Sequence, residues 1–69
     1  MNVISHLELQ QIRTQLLTFA HLQVNQADLA EDLVQEAFLS AFKNIANFKR
    51  QSAFKTWIFA ILKNKIIDY

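Results

Sequence analysis

Asp28-Leu-Ala-Glu-Asp-Leu-Val-Gln-Glu-Ala-Phe38 reads as an acidic amphipathic helix. Ala30, Leu33, Val34, Ala37, Phe38, Ala41 and Ile45 recur at helical spacing and make a broad apolar face. Asp32, Gln35 and Glu36 lie at i, i+3 and i+4, so they share a different face. Asp28 is the expected N-cap of a helix running from about Leu29 to Ile45 or Ala46. Its acids complement the positive end of the helix dipole, and Lys43 complements the other end. At short range comes Ser52-Ala-Phe-Lys-Thr-Trp57, the opening of a basic, aromatic helix with Ser52 as its expected cap. Phe54, Trp57, Ile58, Ile61 and Leu62 recur there at helical spacing and face a core, which Ile66 and Tyr69 extend.

Upstream, Ser5 and Glu8 form an S-x-x-E capping box ahead of Leu9, Ile12, Leu16, Phe19 and Ala20. That pattern predicts a first helix from about Ser5 to Leu22. Residues 23–27 connect it to the second helix, with Asn25 the residue best suited to a left-handed conformation. Residues 47–51 form the second loop. Gly and Pro are both absent, so hairpins and phosphate-cradling loops lack their usual residue. The expected fold is all-α: a small bundle of three helices, or of four, forming one domain over residues 1–69. The third helix reaches Tyr69 without a visible cap, which predicts a piece of something longer.

Sixty-nine residues bury a small core, and such a domain is expected to be only marginally stable alone. With no Cys there is no disulfide and no thiolate metal site, and the isolated His6 and His21 make no metal site either. No cofactor is expected. No apolar run approaches the roughly 20 residues of a membrane span, and no signal peptide is legible. Membrane insertion is therefore not expected, and cysteine-free composition is compatible with a reducing cytoplasm. There is no Ser/His/acid arrangement, no metal-ligand spacing and no Gly-rich loop, so the sequence argues against an enzyme.

The charges separate along the chain. Residues 1–42 hold five acids (Glu8, Asp28, Glu31, Asp32, Glu36) and one base (Arg13), net −4. Residues 43–69 hold six bases (Lys43, Lys49, Arg50, Lys55, Lys63, Lys65) and one acid (Asp68), net +5. The overall charge of +1 hides a dipolar molecule, one half suited to a basic partner and the other to a polyanion.

Three runs carry a family resemblance: Ala30-Glu-Asp-Leu-Val-Gln-Glu-Ala-Phe38, Phe48-Lys-Arg-Gln-Ser-Ala-Phe-Lys-Thr-Trp57 and Ala60-Ile-Leu-Lys-Asn64, followed by Asp68-Tyr69. In this order and spacing they resemble the second conserved region of bacterial sigma factors, most closely of the extracytoplasmic-function (ECF) type. The likeness is strong over residues 28–69 and weak over 1–22. It implies a helical domain, cytoplasmic and non-enzymatic, that docks on the clamp helices of the RNA polymerase beta-prime subunit. It also implies recognition and melting of the promoter element about one helical turn upstream of the start site, through the non-template single strand, and a possible anti-sigma partner.

By spacing alone, Asp32, Gln35 and Glu36 fit an ordinary solvated face; by the resemblance they fall on the polymerase-binding surface. As two carboxylates around an amide they suit a partner presenting Arg. Lys49, Arg50, Lys55, Lys63 and Lys65 can neutralise phosphates; the first four are the DNA candidates, and a merely solubilising surface charge is the competing account of Lys65. Phe48, Trp57 and Phe59 offer faces on which unstacked bases can sit. Thr56 and Asn64 supply polar contacts for a flipped base. Core packing is the competing account of Trp57 and Phe54, and Phe48 fits a plug at the end of the bundle. Phe59 is the aromatic that core packing explains least. Arg50 stands where the family commonly has Gly, which alters the loop's backbone options. The family's second helical domain, which reads the upstream promoter element, is absent from this chain, so the chain alone is not expected to select a complete promoter. The competing functional reading is a diverged interaction module, for example one held by an anti-sigma factor, with no DNA function.

Overall fold

A computed structural model describes residues 5–48 and 53–69. It contains three α-helices: α1 (His6–Gln23), α2 (Ala27–Lys43) and α3 (Phe54–Asp68). A single 3-10 turn, Ile45–Asn47, follows α2. No strand and no fourth α-helix occur among the described residues, so the three-helix form of the expected bundle is the one adopted.

The start of α1 is where the capping box puts it. The Glu8 backbone N–H donates to Ser5 Oγ at 3.1 Å, and the Ser5 N–H donates to the Glu8 carboxylate at 3.3 Å. Each side chain thereby satisfies a backbone donor that the first turn leaves without a partner. At the other end the Val24 N–H still reaches the Ala20 carbonyl, at 2.9 Å. The link to α2 then runs through extended backbone at Val24 and Gln26. Asn25 does not take the left-handed conformation expected of it, because no non-glycine residue among those described has a positive φ. Two extended residues reverse the chain without one.

α2 begins two residues earlier than the sequence suggests. Its N-cap is Gln26, whose side chain makes no capping hydrogen bond, and Asp28 lies inside the first turn. Ala27 is a strong helix former, and Asp28 favours the dipole from within the turn as well as from the cap. α2 also ends earlier, at Lys43. There Asn44 leaves helical geometry, its Nδ2 donates to the Ser40 carbonyl at 2.8 Å, and its N–H bonds the carbonyls of Ser40 and Ala41. Ile45 consequently falls in the 3-10 turn and is exposed, not on the core face predicted for it. The N-cap of α3 is Ala53, with no side-chain capping bond; Ser52, expected there, lies outside the described residues.

α2 is the central helix, packed against both α1 and α3. Its inner face is lined with small residues, Ala30, Ala37 and Ala41, around Leu33 and Val34, all buried. Small side chains let the flanking helices approach closely. Leu16 and Ala20 come in from α1, and Phe54, Ile58 and Leu62 from α3. Leu9, Ile12, Phe19, Phe38, Trp57 and Ile61, also predicted to face inward, are half-buried around this centre. No helix among the described residues is long and apolar enough to cross a membrane.

Candidate functional site

The outward face of α2 presents Asp32, Gln35 and Glu36 together, all exposed, one helical turn long. A hydrogen-bonding interaction with Asp32, and repulsion between the two carboxylates, raise the Glu36 carboxyl above its ordinary value. Lys65 of α3 pulls it the other way. Glu36, Leu39, Ser40, Lys43 and Lys65 line one shallow groove between α2 and α3. Lys65 is thus half-buried beside an acid on the neighbouring helix, a different setting from the open phosphate-facing position its charge suggests.

The aromatic residues divide into two groups. Phe48, just after the 3-10 turn, stacks on Trp57 with ring centroids 4.8 Å apart and planes 24° apart. Phe54 meets both edge-on, at 6.0 Å from Phe48 and 5.8 Å from Trp57. This cluster closes the end of the bundle, and it uses one face of each of Phe48 and Trp57. Phe59 is separate. It is half-buried and packs edge-to-face on Phe19 of α1, with centroids 5.8 Å apart. Core packing therefore does account for Phe59, contrary to the sequence expectation. The reason is that α1 reaches the flank of α3, which the periodicity of α3 alone does not reveal.

Lys55, Thr56, Phe59, Ala60 and Lys63 line a single surface groove along α3. Lys55 and Lys63, both exposed, lie one turn before and one turn after Phe59 on the helix, and the exposed Thr56 lines the same groove. Asn64 is exposed and seven residues from Trp57, so it shares Trp57's side of α3 and not this groove. The predicted nucleic-acid residues thus occupy two flanks of α3, one basic and one aromatic. Lys49 and Arg50 lie outside the described residues.

A second feature of α2 was not singled out by the sequence. His6, Leu9, Gln10 and Arg13 of α1 and Gln35, Phe38 and Phe42 of α2 line a groove of about 380 Å³. The sequence signal for it is the i, i+4 pair Phe38 and Phe42, of which periodicity puts only Phe38 on the core face. Among the described residues no group of three or more His, Cys, Asp or Glu can hold a metal ion.

Residues 9–69 match the family model for sigma-70 region 2. The whole chain is 94% identical to a probable RNA polymerase sigma factor of Haemophilus influenzae, of which it covers 36%. It is 45% identical over 71% of its length to the ECF RNA polymerase sigma factor EcfG of Rhodopseudomonas palustris, covering 27% of that protein. Over 56% of its length it is 46% identical to the ECF RNA polymerase sigma factor SigW of Bacillus subtilis, covering 21% of it. The chain therefore spans only about a third or less of the length of these relatives. No solved structure matches it significantly. A match over 9–69, on a three-helix bundle with an acidic central helix and a basic third one, places the chain in the sigma-70 region 2 family.

Proposed function

We propose that this chain is the part of a sigma factor that anchors on RNA polymerase and holds the opened promoter during transcription initiation. Asp32, Gln35 and Glu36 dock on the clamp helices of the beta-prime subunit. Lys55 and Lys63, with Lys49 and Arg50 of the adjoining loop, neutralise promoter phosphates. Phe48, Trp57 and Asn64 on one flank of α3, and Thr56 and Phe59 on the other, meet unstacked bases of the non-template strand. The observation that carries this reading is the separation of the two surfaces. The acid–amide–acid patch is on α2 and the basic groove is on α3, so one domain can hold protein and DNA at once.

The physics orders the events. Docking through charge-assisted bonds comes first, because carboxylates on a rigid helix face meet Arg without rearrangement. Phosphate contacts then add affinity that is blind to sequence. Only a difference in affinity between open and duplex DNA drives melting. The aromatic rings offered for this are already stacked on one another at one face, so the isolated domain has little of that difference and polymerase is needed. The domain acts in the cytoplasm, where its partners are, and catalyses no reaction of its own.

The test is a titration of this chain against an isolated beta-prime clamp-helix fragment, with Gln35→Ala and Glu36→Ala alongside. Saturable binding, weakened by each substitution by about 1 kcal/mol or more, supports docking through this patch. A folded chain that does not bind sinks it and leaves an interaction module, of the kind an anti-sigma factor holds, as the better account.

A further inference from the structure

The outward face of α1 differs from those of α2 and α3. Leu7, Gln11, Thr14, Thr18 and Leu22 recur there at helical spacing, all exposed, opposite the inward Leu9, Ile12, Leu16, Phe19 and Ala20. None of the five is charged. By contrast, the exposed residues of α2 include Asp28, Glu31, Asp32, Glu36 and Lys43, and those of α3 include Lys55, Lys63 and Asp68. A surface that meets only water is normally charged at about a quarter to a third of its positions. Glu8 and Arg13 are the only Asp, Glu, Lys or Arg of α1, and both lie off this strip. Glu8 completes the capping box, and Arg13 lines the groove toward α2.

The hydroxyls of the strip are already satisfied. Thr14 Oγ1 donates to the Gln10 carbonyl at 3.1 Å, and Thr18 Oγ1 donates to the Thr14 carbonyl at 3.0 Å. Covering the strip therefore strands neither donor. Leu7 and Leu22 keep 63% and 76% of their surface in water at its two ends. One exposed leucine means little. Here two of them bracket an uncharged strip about 22 Å long. Their placement is also symmetric. Leu7 and Leu22 are equally far in sequence from the midpoint between Thr14 and Gln15, and so are Gln11 and Thr18. A second α1 laid antiparallel over the first brings Leu7 onto Leu22 at both ends and Gln11 beside Thr18. That is the self-complementary match that a two-fold pairing requires. The strip also meets its own copy without like-charge repulsion, which the acidic face of α2 and the basic groove of α3 do not.

We propose that two copies of this chain pair antiparallel through the outward strip of α1, with Leu7 of each seated on Leu22 of the other. The inference does not rest on the polymerase or DNA readings above. The strip faces away from α2 and α3, so pairing through it leaves their outer surfaces uncovered. Its size sets the strength. About 22 Å by one helix diameter of about 10 Å is small beside the roughly 800 Å² per partner of a stable complex. The dimer is therefore weak and forms at about 0.1–1 mM chain.

The experiment is sedimentation equilibrium of the 69-residue chain over a concentration series up to about 1 mM, with Thr14→Lys and Thr14→Glu alongside. Thr14 is exposed, and Lys and Glu are better helix formers than Thr, so both variants keep the fold, which circular dichroism checks. Thr14 lies beside the two-fold axis, so each variant alone sets like charges against each other. Each is expected to weaken self-association about tenfold or more, and an equimolar mixture of the two is expected to recover it. Register is tested by cross-linking, because the chain has no cysteine of its own. Under mild oxidation, a mixture of the Leu7→Cys and Leu22→Cys chains should form a disulfide-linked dimer faster than either chain alone. A folded parent chain that stays monomeric throughout the series overturns the proposal. Self-association that both Thr14 variants retain puts the contact on another face and overturns it equally. Faster cross-linking of either cysteine variant with itself than with the other overturns the antiparallel pairing.

Discussion

Glu36 is the residue at which stability and the proposed docking would be coupled. Asp32 raises its carboxyl above the ordinary value, so the folded chain binds a proton there more readily than the unfolded chain. The stability this contributes is complete below the ordinary carboxylate range and is lost as pH rises through Glu36's raised value. Glu36→Gln removes the repulsion, and it is expected to raise the melting temperature at neutral pH and to flatten its fall across that window. Thermal melts of both chains over a pH series check this. The proposed docking has the opposite sign, since it would use the ionised form. The affinity for a cationic partner is expected to fall on acidification sooner than an unperturbed Glu would make it fall. Ser5 supplies a second test at this scale. Its capping box is complete, so Ser5→Ala should cost about 1 kcal/mol. In a domain of this size that lowers the melting temperature by about 4–8 °C.

At the scale of elements, the three helices begin in different ways. α1 has a full capping box, whereas the N-caps of α2 and α3 make no side-chain capping bond. Gln26 sits in extended geometry with its backbone carbonyl already bonded to the Ala30 N–H at 3.0 Å. Gln26→Asp puts a capping carboxylate at that position and is expected to stabilise the chain by about 0.5–1 kcal/mol, read from urea denaturation midpoints. α3 tests the nucleic-acid side. Lys55 and Lys63 flank one groove, so each Lys→Ala change should weaken binding to single-stranded DNA of any sequence. Each should also reduce the slope of log affinity against log salt by about 0.7. An unchanged slope would mean that these ammonium groups do not meet phosphates.

The whole molecule depends on a very small centre. Leu16, Val34, Ile58 and Leu62 are the largest fully buried side chains, and three alanines of α2 bring the helices close around them. Ile58→Ala or Leu62→Ala should cost about 2–5 kcal/mol. Much of the net stability of a domain this size is at stake in one such change. Loss of the cooperative thermal transition by either variant is the expected result. Ala37→Leu attacks the same centre from the opposite direction. It overpacks the contact between helices and should destabilise by about 1–3 kcal/mol.

Local patterning determined the helices, the capping box at Ser5, the acid–amide–acid face of α2 and the concentration of bases toward the C-terminus. These follow from residue type and a 3.6-residue repeat, which one segment carries without its neighbours. The same local information misplaced what depends on competition between nearby residues. Asp28 looked like a cap and lies in the first turn, and Ile45 looked like core and lies beyond the point where Asn44 ends α2. Tertiary structure decided the rest. Phe59 is packed because α1 puts Phe19 beside it, Lys65 stands beside Glu36 because α3 crosses α2, and the groove from Arg13 to Phe42 exists only where two antiparallel helices meet. Side chains from different helices share no periodicity, so their meeting is set by the packing of the core and not by any one stretch of sequence.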